Sequence, residues 1–279
     1  MTAVIDVGGG LRGSYGSGVF DYCLDQGIGF DLCIGVSAGA GNIASFLSKQ
    51  RGRSLRFYED YAFRKQYMSF SNLVRTGSYL DVQYIYGTLT RQEGEDPLDY
   101  DTLCANPSRM IVVASDAQSG KPRYFTKDDM RRNDYAVLMA SSCIPIACKP
   151  VSVSGRWYFD GALTDPIPLG AAQAAGCDRV VVILTRPKMM TITGKREKRM
   201  APLIRHHFSR TAENLNLRGE RYNHAVSLAR DLEREGSVLI VAPDDIEGMK
   251  TLTRDRSQIH DLYLKGYQDA RRIAPFLAF

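Results

Sequence analysis

A serine flanked by small residues, Gly35-Val36-Ser37-Ala38-Gly39, ends one apolar run and opens a segment with helical spacing. A Gly-x-Ser-x-Gly at a strand-to-helix junction is what a nucleophile elbow requires. The serine must sit on a tight, strained turn with its hydroxyl exposed, so its neighbours must lack bulk. Ala40 and Gly41 extend the run of small residues. A helix starting at Ser37 also favours developing negative charge, through its dipole and its free N–H groups. A plain turn could carry the same five residues, but the strand before and the helix after are the context an elbow needs.

A second glycine-rich turn, Gly8-Gly9-Gly10-Leu11-Arg12-Gly13, follows the apolar run Ala3–Val7. Read literally it contains Gly8-x-Gly10-x-x-Gly13, the dinucleotide fingerprint, which also asks for an acid near the end of the second strand. Asp31 falls at the start of that strand, and its end is taken by Gly35 to Gly39, so nucleotide binding is disfavoured. Beside a nucleophilic serine the run suits another task. Its backbone N–H groups, with no side chain in the way, can hold the oxyanion of an acyl-transfer intermediate. Gly9 and Gly10 are the expected donors. Arg12 either braces the loop or brings positive charge near a substrate phosphate.

A serine nucleophile needs a base. His206, His207, His224 and His260 all come late, and the order Ser, Asp, His would suit an α/β-hydrolase triad. Yet several strands precede the elbow in that fold, whereas only one precedes Ser37. None of the histidines lies in a glycine-flanked loop after a strand. Trp157-Tyr158-Phe159-Asp160-Gly161-Ala162 offers a carboxylate instead, at the end of an apolar run and followed by two small residues that allow close approach.

These groups need a scaffold. Ala3–Val7 and Asp31–Val36 read as strands, and Tyr15–Gln26 and Ala38–Lys49 as helices, a β-α-β-α opening. Met110–Ser115, Arg179–Leu184 and Ser237–Ala242 follow as strands. Tyr135–Ser141, Pro168–Ala175, Glu213–Glu235 and Arg254–Ile273 follow as helices. The alternation predicts a mainly parallel sheet covered on both faces. Phe57–Tyr86 is rich in aromatic residues and reads as a helical insertion over the sheet. Across 279 residues no Pro/Gly/Ser linker divides the chain, so one domain is expected.

The composition, 44% hydrophobic and 24% charged, is that of a globular protein, which excludes disorder and coiled coil. A formal charge of +5 is too mild to argue for nucleic acid. Charge is concentrated locally, with eight Lys or Arg and one acid, Glu197, between Arg186 and Arg210. That run reads either as a solvated mobile loop or as a patch for anionic headgroups. Six cysteines stand singly, without ligand spacing, which predicts reduced, mostly buried thiols and no structural zinc. The opening Met1–Val7 has no signal-peptide pattern, and no apolar run approaches the roughly 20 residues of a bilayer span. A cytoplasmic protein is expected.

Taken together, the motifs resemble those of the patatin-like phospholipase family: the Gly8–Gly13 loop, the Gly35–Gly39 elbow, and Asp160-Gly161-Ala162, in that order. Ala140-Ser141-Ser142-Cys143-Ile144-Pro145 through Pro150 matches a looser family pattern. The resemblance covers roughly residues 1 to 185, with less diagnostic likeness beyond. It implies a single three-layer α/β/α domain over residues 1–279, its motif-bearing core at about 1–185 and a C-terminal α/β completion at about 186–279. It implies a lipid acyl hydrolase with a Ser37–Asp160 dyad, working through an acyl-enzyme without metal or other cofactor. Asp160 is expected to be partly desolvated under the aromatic stretch. The substrate would be a lipid or other ester, with peripheral contact to an anionic membrane surface through the basic run or the aromatic stretch. The triad esterase and a non-catalytic lipid-binding or partner-binding module remain the alternatives, and the oligomeric state is open.

Overall fold

The computed structural model describes residues 1–278. Its central strands are apolar on both faces, as strands of a covered parallel sheet must be. After β1 (Thr2–Asp6) the chain makes a short 3-10 turn, Gly10–Gly13, and enters helix α1 (Ser14–Asp25). β2 (Leu32–Val36) is buried at every residue and leads into α2 (Ala38–Leu47). The predicted β-α-β-α opening is therefore present. Side chains alternate between two cores as the pleat requires, Ala3 and Ile5 facing one and Val4 the other.

The helical insertion expected at Phe57–Tyr86 is present and longer than read, spanning residues 53–105: α3 (Arg53–Glu59), α4 (Phe70–Thr76), a π-helical segment at Tyr84–Leu89, and α5 (Tyr100–Ala105). The chain returns through β3 (Arg109–Asp116), β4 (Pro122–Thr126), α6 (Ala136–Ser141), β5 (Val151–Val153) and β6 (Arg156–Asp160). It continues through α7 (Leu169–Ala174), β7 (Arg179–Ile183), α8 (Lys195–Ile204), α9 (Ser209–Arg234), β8 (Val238–Val241), α10 (Arg256–Asp269) and α11 (Ile273–Leu277). The eight strands form one sheet in the order β5-β6-β3-β2-β1-β7-β8, with β4 added on β3. β3, β2, β1, β7 and β8 run parallel. Helices α1, α2 and α10 contribute to the core on one face, and α7 and α9 to the core on the other. The fold is the three-layer α/β/α sandwich expected.

One piece of sheet geometry decides where the chemistry lies. β4 occupies one edge of β3, pairing with Ile111 to Ser115. The opposite edge is shared by β2, which pairs as far as Val36 with Val113, and β6, which ends with Asp160 opposite Ala114. β2 and the antiparallel β6 therefore meet end to end, and Ser37 and Asp160 emerge at the junction.

Two sequence readings need correction. The basic run is not a loop throughout, because Lys195–Ile204 is α8, despite Pro202 within it. The antiparallel strands β4, β5 and β6 have no counterpart in the predicted alternation, beyond the apolar run that ends at Asp160. The C-terminal segment is tied to the N-terminal one by a close helix crossing. A Cβ at Gly18 of α1 would lie 2.0 Å from the Tyr263 carbonyl oxygen of α10, and a Cβ at Gly266 equally close to that of Tyr15.

Candidate active site

Ser37 lies between β2 and α2 with φ 57° and ψ −132°, a left-handed conformation strained for any residue with a Cβ. Surrounding groups hold it there. Its N–H donates to the Ser141 hydroxyl at 2.9 Å, and that hydroxyl donates to the Val113 carbonyl at 2.6 Å, so β3 and α6 brace the elbow. A Cβ at Gly39 would stand 2.3 Å from the Asp6 carbonyl oxygen, so bulk there would push the turn off the neighbouring strand.

The Ser37 hydroxyl donates to Oδ2 of Asp160 at 2.6 Å. The other carboxylate oxygen accepts the Ala162 N–H at 2.9 Å, and the Asp160 N–H donates to the Cys143 carbonyl at 2.9 Å. Ser115 donates to the Asp160 carbonyl at 2.8 Å. Asp160 is thus fixed in position and 7% exposed. Burial pushes its carboxyl above the ordinary range, and the Ser37 hydroxyl, the Ala162 N–H and the Arg218 charge partly offset that rise. A raised carboxyl that keeps a hydrogen bond to a serine hydroxyl is a better proton acceptor than a free aspartate.

The glycine loop faces the same space. Gly8 has φ +64°, and a Cβ on it would be 2.4 Å from the Val36 carbonyl oxygen, so only glycine lets this loop lie against the elbow. The Gly8 N–H is taken by Oδ1 of Asp6 at 2.9 Å, and the Leu11 N–H by the Thr251 carbonyl at 2.8 Å. Among the described residues the N–H groups of Gly9 and Gly10 have no acceptor. Both glycines line a cavity of about 120 Å³ together with Ser37 and Asp160. Arg12 lines it too, almost fully buried, hydrogen-bonded to the Met249 carbonyl at 3.4 Å and the Thr251 hydroxyl at 3.1 Å. Burial and the nearby Arg186 charge bring its guanidinium down to about 9.

The structure therefore brings Ser37, Asp160, Gly9, Gly10, Arg12 and Ala162 to one pocket, while Gly8, Gly13, Gly35, Gly39 and Gly161 form the backbone behind it. The aromatic stretch does not cover Asp160. Phe57, Tyr58, Tyr61 and Tyr86 instead line a separate cavity over α2 with Arg53 and Asn42. The Ser37 pocket is lined also by Arg196, Glu197 and Met200 of α8, Leu215 of α9, and Thr251 and Leu252. All four histidines are exposed and none lines it, which leaves the triad alternative without its base. Asp31 receives the Thr2 N–H at 2.7 Å at the opposite end of the sheet, far from any ribose site.

Asp6 escaped the sequence reading. Wholly buried, it accepts Gly8 N–H through one oxygen and the Asn42 amide through the other at 2.9 Å, and Asn42 in turn reaches the Gly13 carbonyl and the Tyr58 hydroxyl. Desolvation raises its carboxyl to about 6. The available signal was an acid closing an apolar strand one residue before the glycines. In the sequence Ser141 stands out only as part of the Ala140–Pro150 pattern. Thr251 and Arg218 carried no local signal, because they reach the pocket from the far end of the chain.

Comparison with known proteins places this architecture. Residues 7–172 match the sequence profile described as patatin-like phospholipase, and residues 208–277 match a domain of unknown function, DUF6363. The uncharacterized protein YjjU of Escherichia coli (strain K12) is 32% identical over 203 residues, 71% of this chain and 56% of YjjU. Among solved structures, VipD from Legionella pneumophila aligns with 98% of this chain and 66% of its own, at a TM-score of 0.53 and 12% identity, a likeness of fold. The chain thus spans little more than half the length of the bacterial relative it matches in sequence.

Proposed function

The chain belongs to the patatin-like phospholipase family, whose profile matches more than half of it, and we propose that it is a lipid acyl hydrolase of the phospholipase A type in which Ser37 is the nucleophile and Asp160 the base. The observation that carries the reading is the 2.6 Å hydrogen bond from the Ser37 hydroxyl to Asp160, in a pocket that also holds the unpaired N–H groups of Gly9 and Gly10. Asp160 takes the hydroxyl proton as Ser37 attacks an ester carbonyl. The Gly9 and Gly10 amides receive the oxyanion. The alcohol leaves with the proton from Asp160, and a water deprotonated by the same carboxylate releases the acyl group. An intact serine, carboxylate and glycine loop speak against a non-catalytic binding module.

The test is labelling by a fluorophosphonate together with turnover of a short-chain nitrophenyl ester. Ser37→Ala should abolish both while the far-ultraviolet circular dichroism stays unchanged. Labelling that persists in this variant would move the nucleophile elsewhere.

No helix among the described residues is long and apolar enough to cross a membrane. Contact with lipid would then rest on surface features. Helix α4 exposes Phe70, Leu73 and Val74, and α8 exposes Lys195, Arg196, Lys198 and Arg199. Binding to anionic vesicles is expected to exceed binding to neutral ones and to weaken as salt rises. Binding indifferent to lipid charge would remove α8 from this role. Because Arg196 lines the catalytic pocket and Lys198 pairs with Glu220, neutralising all four basic residues is expected to disturb ester hydrolysis as well.

A further inference from the structure

The Ser37 pocket holds about 120 Å³, whereas pockets that enclose a drug-sized ligand run to about 300–1,000 Å³. A short ester fits that space, but a lipid with full-length acyl chains does not. For such a substrate one wall must move, and the walls differ in how they are held. Ser37, Asp160, Leu163 and Leu215 are buried parts of the fold. Thr251 and Leu252 lie toward solvent, but their segment is pinned to the glycine loop. The Thr251 carbonyl accepts the Leu11 N–H at 2.8 Å, and Arg12 donates to the Met249 carbonyl and the Thr251 hydroxyl. The remaining outer wall is α8, which contributes Arg196, Glu197 and Met200.

Helix α8 is loosely held. Only Ala201 of its residues is buried, and Leu203 is 71% exposed. Among the described residues its side-chain hydrogen bonds and ion pairs all run to one neighbour, α9. Glu197 accepts from Arg218, and Lys198 pairs with Glu220 at 3.3 Å. The first pair is largely shielded from water, whereas the second is exposed. Few buried apolar contacts mark a segment that opens more readily than the rest of a fold.

The flanks, by contrast, are fixed. Before α8, the backbone of Ile192 makes two hydrogen bonds of 2.9 Å with the Asn223 side chain, and Lys188 pairs with Glu233 at 2.6 Å. After it, the Phe208 ring stands edge-on to Phe159, with centres 5.3 Å apart. Between these anchors and the helix lie Gly194, at φ +62°, and the exposed turn at 205–207. Gly194 passes so close to α9 that a Cβ on Gly219 would stand 2.9 Å from its nitrogen. A left-handed glycine at one end and an exposed turn at the other let a rigid helix swing without disturbing its anchors.

We propose that α8 is a lid on the Ser37 pocket, hinged at Gly194 and at 205–207 and latched shut by the Glu197–Arg218 pair. The assignment rests on the acyl-hydrolase reading above and adds its regulation: the closed form admits short esters alone, and the open form admits long acyl chains.

The test locks and unlocks the lid. In a Cys104→Ser background, which removes the exposed native thiol, Lys198→Cys and Glu220→Cys are bridged by a bifunctional methanethiosulfonate that a reductant can cleave. Bridging should lower kcat/KM for nitrophenyl decanoate at least about tenfold and that for nitrophenyl acetate by less than about twofold, and reductant should restore both. Glu197→Gln should act the other way, raising the decanoate-to-acetate ratio about 5- to 20-fold, the scale of one half-shielded ion pair. Hydrogen exchange gives a readout independent of turnover. Amides at 195–207 should lose protection in Glu197→Gln while those of α9 keep theirs. Equal losses on both esters after bridging, or no loss on the decanoate, would overturn the lid. Unchanged protection at 195–207 in Glu197→Gln would overturn the latch. Absence of turnover on every ester would overturn the acyl-hydrolase reading, with the exchange measurement still deciding whether α8 opens.

Discussion

Two strand-to-helix turns stand side by side at the C-terminal edge of the sheet, and they are held by different means. The turn after β2 is strained at Ser37 and braced from β3 and α6, through Ser141 and the end of β6. The turn after β1 is held from beneath by the buried Asp6 carboxylate. From above it is held by residues far along the chain: Thr251 accepts the Leu11 N–H, and the Thr185 hydroxyl donates to the Gly8 carbonyl. The first turn holds the Ser37 hydroxyl on Asp160; the second keeps two backbone N–H groups free. A side chain needs a nearby partner, whereas free amides need every competing acceptor to be already occupied.

Breaking the first turn's partner should have the largest effect. Asp160→Asn keeps the shape but cannot take the proton, and it should lower kcat by on the order of 10³ to 10⁴, by analogy with removal of the charge from a catalytic carboxylate. Single replacements of the four histidines serve as controls and should retain most activity. A histidine variant that loses as much as Asp160→Asn without unfolding would restore the triad.

Damage to the second turn should be smaller. A Cβ at Gly10 would sit 2.5 Å from the Thr251 carbonyl oxygen at a φ of +63°, so Gly10→Ala must displace the loop. A loss of about 10² to 10³ in kcat is expected, the scale of one oxyanion donor, with KM little changed. A change confined to KM would separate the loop from transition-state stabilisation.

Asp6→Asn probes the prop itself. Asparagine keeps an acceptor for Gly8 N–H but turns an N–H group toward the Asn42 amide, and a loss of about tenfold in rate is expected. The sharper readout is stability. Desolvation lifts the Asp6 carboxyl to about 6 from an ordinary 3.8, so the folded state binds the extra proton between those values. A raised carboxyl stabilises the fold at low pH, and that contribution is lost as pH rises through about 6, a change on the order of 2–3 kcal/mol. The stability difference between wild type and Asp6→Asn should therefore shrink from pH 4 to pH 6 in urea titrations. A constant difference would mean that Asp6 stays ionised throughout the window.

The same contrast explains what could be read from residue order. The elbow, the glycine loop and Asp160 were legible because their chemistry is local: small residues around a serine, glycines after an apolar run, a carboxylate ending another. The parallel strands were legible because β1, β2, β3, β7 and β8 are continuous apolar runs. α8 was not, because its Lys and Arg side chains and Pro202 hide a helix whose Met200 faces the pocket. Asp6 was missed because its importance depends on Asn42 and Gly39 lying over it, a matter of how neighbouring elements stack. The rest of the pocket lining was beyond reach for the same reason. Met200, Leu215, Thr251 and Leu252 join the site only through the crossing of α1 with α10 and the docking of α9.

The shared edge of β3 has a further consequence, for how freely the chain can vary. Ser37 and Asp160 are 123 positions apart, yet their separation in space is set by two consecutive residues, Val113 and Ala114. β3 acts as a ruler. Insertions or deletions in the helical segment before it, or in the excursion between β4 and α6, change the length of the path without changing the gap between Ser37 and Asp160. A one-residue slip of β3 against β6 would move Asp160 by about 3.3 Å, half a strand repeat, and turn its side chain to the other face of the sheet. The Ser37–Asp160 spacing is guarded by pairing register and is nearly blind to loop length.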